Sequence, residues 1–308
     1  MAIYDVNGNT IDASGIFVNV KSNGAKGDGT TDDAGAIQDA LDAIQNTGGT
    51  VFFPVGTYLI KTALIFYSNQ TLFFDNGATI LQGDDMDNLM RAYAVNTWGG
   101  YDGTHDCRII GATFDGGAYE ENNALLATVH AKNIVIENCT FKNAYGSWHD
   151  LEINSSYNVK IINCDFEGAR KTGTGELIQI DYAGNSTVYP WTAKYDSTVC
   201  KYVEIRGCFF HDAPVTAIGN HSSAAHKYIS IHDNVFDGLT STDGAIKFVA
   251  NMHDVDIFDN YFTSCAKGVG YSDGASYYIR GNRFSDCTTA ISGSGIAHGN
   301  MINGTYTA

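Results

Sequence analysis

One short frame recurs along this chain and limits what it can fold into. From Ile109 onward, the segments IIGATF, IENCTF, IINCDF, IRGCFF, IHDNVF, IFDNYF and IRGNRF each set an apolar residue five positions before a Phe. Two positions before that Phe stands Ala, Cys or Asn. The aromatic positions are Phe114, Phe141, Phe166, Phe210, Phe236, Phe262 and Phe284, spaced by 27, 25, 44, 26, 26 and 22 residues. The interval of 44 reads as one repeat plus an insertion. Apolar residues alternate ahead of each frame, as in Ile134/Ile136, Val159/Ile161, Val203/Ile205, Ile229/Ile231 and Val255/Ile257, which is strand periodicity with one buried face.

A second apolar stretch follows each Phe: DLEI, LIQID, TAIGN, AIKF, GVGY and TAIS. A unit of about 25 residues with two or three strands cannot bury its own face, so the units must stack. The fold class predicted is all-β, a parallel β-helix. Against 34 Gly stand only 3 Pro, with 18 Tyr and 16 Phe, a profile of short strands and tight turns.

A solenoid exposes core at its ends and needs caps. Residues 31–46, TDDAGAIQDALDAIQN, predict a capping α-helix with Thr31 or Asp32 as N-cap and Ile37, Ala40, Leu41 and Ile44 on one face. It stops at Gly48-Gly49, before the strand TVFFPVGTYLI.

Residues 18–60, VNVKSNGAKGDGTTDDAGAIQDAL…GGTVFFPVGTYLI, resemble the N-terminal signature of the pectate-lyase superfamily. The resemblance implies a right-handed parallel β-helix with carbohydrate as the usual ligand. That group includes lyases, polygalacturonase-like hydrolases and phage tailspike depolymerases. It does not by itself name the reaction. Tailspike relatives are commonly trimers, so a monomer or a homotrimer is expected. With no linker or composition break, residues 1–308 read as a single domain. Its parts are a cap with first strands at about 17–60, regular coils at 105–303 and an inserted loop at 182–201.

A net charge of −16 argues against a nucleic-acid partner, since phosphate binding needs concentrated Lys and Arg. No apolar run reaches membrane-span length, so no membrane partner is expected. The start MAIYDVNGNTIDASG has neither the basic nor the apolar region of a secretory signal. The expected setting is secreted, extracellular or virion-associated, by a route other than a signal peptide in this chain. Seven Cys cannot all pair; Cys139, Cys164 and Cys208 share one repeat position and predict a buried column of free thiols.

The candidate site lies where the repeat is least regular, in the cluster Trp148-His149-Asp150-Leu151-Glu152. Aligning the second apolar stretches puts Leu151, Ile178, Ile218, Ile246 and Val269 in one inward column. The outward columns then read Glu152, Gln179, Gly219, Lys247 and Asn154, Asp181, His221, Val249. Adjacent coils are about 4.8 Å apart, so column neighbours nearly touch. Glu152 and Asp181 are the predicted catalytic carboxylates, and His221 is expected to hold Asp181 or relay its proton. His149, Asn154, Glu176, Gln179 and Lys247 are candidate substrate contacts. Tyr182 and Trp191 of the insertion, with Trp148, are candidates for stacking on sugar. The segment NTWGGYDGTH around Trp98 and Tyr101 is expected to form the opposite wall.

The leading chemistry is glycoside hydrolysis of a polysaccharide or oligosaccharide, with no cofactor and no metal. The paired aspartates, Gly-His-Gly turn and Arg-x-Lys of polygalacturonases are absent at matching places; GNHS at 219–222 is a faint echo. The alternative is a polysaccharide lyase, in which Asp150, Glu152 and Asp181 would hold Ca²⁺ and Lys247 or His221 would be the base. A third reading is a non-catalytic receptor-binding β-helix of phage type.

Overall fold

The computed structural model describes residues 3–4, 10–11, 15–119, 124–145, 149–168, 175–184, 194–249, 251–271, 277–293 and 296–307. Three long sheets of 11, 12 and 9 strands run the length of the chain, and each coil contributes one strand to each. One coil illustrates the rule. His149–Asn154 lies in the third sheet, Tyr157–Ile162 in the first and Asp165–Glu167 in the second. Pairing between coils is parallel throughout, so the architecture is the parallel β-helix that the repeat predicts.

The frame folds as it does because its third residue turns a corner. Gly111, Asn138, Asn163, Gly207, Asp233, Asp259 and Gly281 all have φ between 52° and 79°, a region open to Gly and tolerated by Asn and Asp. Three positions on, each Phe pairs in register with the Phe of the next coil. From Phe114 to Phe284 the rings stack at centroid separations of 4.6–5.1 Å and all are buried.

Next to this column runs a polar one. Cys139, Cys164 and Cys208 are buried free thiols. The column continues as Asn234, Asn260, Asn282 and Asn300, all at most 2% exposed. The Cys208 N–H donates to Asn234 Oδ1 at 2.9 Å, and the Asn234 N–H donates to Asn260 Oδ1 at 3.0 Å. Asn260 and Asn282 pass the pattern on, while each Nδ2 also donates to a strand carbonyl. A buried amide is affordable only when satisfied in this way.

The cap differs in detail from expectation. The helix is Ala34–Asp42, shorter than residues 31–46. Thr31 and Asp32 are not its N-cap, because the strand Asp28–Asp32 pairs with Gly56–Ile60 and carries the chain on to Asp33. Asp33 occupies the N-cap position, yet its carboxylate turns back to accept the Lys26 and Gly27 N–H groups at 2.6 and 2.9 Å. Ile37, Ala40, Leu41 and Ile44 are buried against the first coils, as their spacing requires. TVFFPVGTYLI forms two strands, Gly49–Phe53 and Gly56–Ile60, in different sheets.

Asn260→Ala removes the acceptor of the Asn234 N–H at a site water does not reach, and should cost about 2–3 kcal/mol in denaturant unfolding. Cys139, Cys164 and Cys208 should react with a thiol reagent only at the rate of global unfolding, read by mass spectrometry of the labelled native protein.

Candidate functional site

The third sheet carries the site. Leu151, Ile178, Ile218, Ile246 and Val269 pair in register as one inward column. Glu152, Gln179, Gly219 and Lys247 form the neighbouring column, and Asn154 pairs with Asp181. These placements match the alignment of the repeats. His221 does not continue the Asp181 column, because the strand Thr216–Gly219 ends before it and the chain turns away. Its imidazole reaches back to the start of the neighbouring strand, where Nε2 lies 2.8 Å from Glu176 Oε2. Gln179 Nε2 is 3.3 Å from His221 Nδ1.

Asp181 accepts backbone N–H groups on both carboxyl oxygens. Its Oδ1 accepts the Tyr182 N–H at 2.9 Å, and its Oδ2 accepts the N–H groups of His221 and Ser222 at 3.2 and 3.1 Å. The side chain anchors the turn that carries His221. Beside it lies the buried His226, whose Nδ1 accepts the Cys200 N–H at 2.9 Å and whose Nε2 lies 3.8 Å from Asp181 Oδ1. Burial works to raise the Asp181 pKa. The bonds from His226, Ser222 and Tyr182 outweigh it, and the carboxyl titrates below its ordinary value.

His149 stands between two glutamates. Its Nδ1 lies 3.6 Å from Glu176 Oε2 and its Nε2 lies 4.0 Å from Glu152 Oε1. The same Nδ1 is 2.9 Å from the Glu176 carbonyl oxygen. Burial pushes the Glu152 pKa well above the ordinary range, with Asp181 and Asp87 adding to it. Burial likewise lowers the His149 pKa despite Glu176 nearby. Glu152 is 2% exposed and Asp181 7%, so neither is the open surface group that the outward columns suggested.

The cavity on this face has a volume of about 390 Å³ and is lined by Glu176, Thr216, His221, Ser241, Asp243 and Lys247. Its floor depends on Gly219, where a Cβ would stand 2.9 Å from Glu176 Cγ and 2.6 Å from the Lys247 carbonyl oxygen. Lys247 pairs with Asp243 at 2.9 Å on the rim. Asn154 is buried with both side-chain polar atoms unsatisfied, and Gln179 is buried. Trp148 and Trp191 lie outside the described residues. Tyr182 sits at the strand end beside Gly184. Tyr101 is not on an opposite wall: its hydroxyl donates to the Val199 carbonyl at 2.7 Å, so its segment packs on the returning limb of the insertion. Trp98 lies in a separate cleft with Tyr93.

Asp150, Glu152 and Asp181 do not fit a calcium ion. Among the described residues no group of three or more His, Cys, Asp or Glu is arranged to hold a metal. Asp150 follows the register between Leu125 and Leu177, with both carboxyl oxygens unsatisfied, and burial raises its pKa well above the ordinary value. Thr216, Ser241, Asp243 and His226 escaped the sequence reading. Thr216 alone had a signal, its register with Glu176.

A polar groove on the face of a parallel β-helix defines a recognisable class, and comparison places the chain within it. Residues 17–292 match the family described as Rhamnogalacturonase A/epimerase, pectate lyase-like, and the chain belongs to that family. It is 30% identical over 302 residues to plasmin and fibronectin-binding protein A of Streptococcus pneumoniae, covering 87% of this chain and 39% of that protein. The chain thus spans well under half the length of that relative. The crystal structure of this surface adhesin superposes with a TM-score of 0.77 at 24% identity, over 93% of this chain and 78% of that one. A tailspike of an Acinetobacter phage superposes with a TM-score of 0.66 at 14% identity, over 93% of this chain and 48% of that one. At these identities the superpositions show the shared fold.

An acid whose pKa is raised by folding binds more protons native than unfolded, so stability falls as pH climbs above the ordinary aspartate value of 3.8. Asp150→Leu continues the Leu125/Leu177 column and should raise Tm by several degrees at about pH 8, with a smaller gain at about pH 4. Asp181 has the opposite sign. Its lowered pKa contributes stability above 3.8 that is lost as pH falls further, and thermal melts of Asp181→Asn should show that contribution missing.

Proposed function

We propose that the chain acts on carbohydrate and cleaves a polysaccharide as a glycoside hydrolase in the third-sheet groove. The observation that carries this reading is the pair of glutamates flanking His149. Burial raises the Glu152 pKa, while Glu176 lines the cavity in contact with His221. Two carboxyl groups with divergent environments are what acid–base cleavage of a glycosidic bond requires. In this reading Glu152 donates the proton to the leaving oxygen. Glu176 is the partner that activates water or attacks the sugar, and His221 orients it. Asp181 is a positioning residue that fixes the His221 turn, and Lys247, Thr216 and Ser241 bind hydroxyl or carboxylate groups of the polymer. Membership of a family named for a rhamnogalacturonase supports the substrate class.

A second reading, binding without cleavage, draws support from the side-chain exposure of only 3% at Glu152 and 5% at Glu176. The likeness to a streptococcal surface adhesin supports it too, as it supports an extracellular or virion-associated setting.

A panel of polysaccharides decides between them. A hydrolase generates reducing ends without ultraviolet absorbance, a lyase generates both and a binding module neither. On a cleaved substrate, Glu152→Gln and Glu176→Gln should each lower kcat by about 10²–10⁴-fold. Asp181→Asn should lose less activity and show a lower Tm. Near-parental rates in both glutamine variants would remove the pair.

A further inference from the structure

A second cleft lies at the N-terminal end of the same sheet, away from the glutamates. It has a volume of about 420 Å³ and is lined by Gln45, Asn46, Tyr67, Ser68, Tyr93 and Trp98, with Thr104. The size falls in the range of small-ligand sites. Register builds it. The strands Leu64–Phe66 and Asn88–Ala92 pair Phe66 with Ala92, so the next residues, Tyr67 and Tyr93, succeed one another at the same corner.

The three rings make a bent wall rather than a flat stack. Tyr67 and Tyr93 are 5.2 Å apart at 47°, and Trp98 meets Tyr93 edge-on at 5.5 Å and 85°. The wall is held before any ligand arrives. Tyr67 donates its hydroxyl to Asp42 Oδ1 at 2.8 Å, which ties it to the cap helix. The Tyr93 N–H donates to the Phe66 carbonyl at 2.9 Å, and the Thr104 hydroxyl donates to the Tyr93 carbonyl at 2.8 Å. Preorganised rings spare a ligand the entropy of ordering them. Opposite stand two exposed side-chain amides, Gln45 and Asn46, each offering donors and an acceptor.

None of the lining residues carries a formal charge at neutral pH, whereas the first cavity holds Glu176, Asp243 and Lys247. On a chain of net charge −16, a uronate would meet no cation among the lining residues and an unfavourable field around it. Aromatic faces match sugar C–H groups, and amides match hydroxyls. We propose that the Tyr67–Tyr93–Trp98 cleft is a carbohydrate-binding site for an uncharged saccharide, distinct from the Glu176–His221 cavity. Three strand intervals, about 14 Å, separate the strand before Tyr93 from the strand that bears Glu176.

Affinity electrophoresis through gels containing dextran, galactomannan or hydroxyethyl cellulose tests this, with polygalacturonate as the charged control. A Glu176→Gln background keeps cleavage from interfering. At least one uncharged polymer should retard the protein. Trp98→Ala and Tyr93→Ala should weaken retardation roughly tenfold in apparent Kd, and Trp98→Phe should recover part of it. Thermal melts report whether each variant folds. Asn46→Asp, an exposed change that brings a charge to the cleft without altering its wall, decides the matter if the alanine variants do not fold. Retardation by none of the uncharged polymers, or equal retardation of Trp98→Ala or Asn46→Asp and the parent, overturns the proposal. So does displacement of the polymer by an apolar or proline-rich peptide and not by free oligosaccharide.

Discussion

In-register parallel pairing from coil to coil is the constraint on which everything else in this molecule rests. It repeats each position of the frame at about 4.8 Å, so a residue type that suits one coil must suit its neighbours above and below. Stacked Phe rings exploit that spacing directly. The polar column shows what the same rule demands of a buried amide: Asn234 is satisfied because Asn260 stands over it, and Asn260 because Asn282 does. Where the column changes to Cys208, Cys164 and Cys139, the thiols need far less of their neighbours.

The site arises where that regularity relaxes. Third-sheet strands shorten from six residues in Glu176–Asp181 to four in Thr216–Gly219 and three in Ile246–Phe248. The shortening frees residues 220–222 to turn, and Asp181 collects the N–H groups of His221 and Ser222. A carboxylate this well bonded has its pKa lowered despite burial, while that of Glu152, one coil below, is raised. Opposite pKa shifts thus arise in adjacent coils from burial, nearby charge and hydrogen bonding, without any difference in residue class.

The two cavities of the third sheet differ in chemistry as well as place. One is charged, with a histidine and glutamate in contact; the other has no charged lining residue and is walled by aromatic rings, of which Tyr67 is tied to the cap helix. A solenoid separates such features easily, because each coil's outward residues can vary while its inward ones are held by the stack. The family to which the chain belongs shares the scaffold, and the scaffold by itself assigns no reaction.

The order of the coils, the Phe and Cys columns, the capping role of Ile37 and Leu41, and the register of Glu152 with Gln179 were all legible in the sequence. Each depends on a period, and a period survives in one dimension. The start of the helix was not, since strand pairing with Gly56–Ile60 overrode the capping preference of Thr31 and Asp32. Nor were the partners within the site. Only the folded chain brings the His221 ring to Glu176 while Asp181 takes its backbone N–H, because the path of a turn depends on which N–H groups a carboxylate distant in sequence can reach. Burial was equally invisible: an outward-pointing Glu152 reads as surface until the packing around its coil removes it from water. Sequence determined the scaffold through repetition; the tertiary structure alone decided which side chains meet and which carboxyl keeps its proton, because contact and desolvation are set by neighbours far apart in the chain.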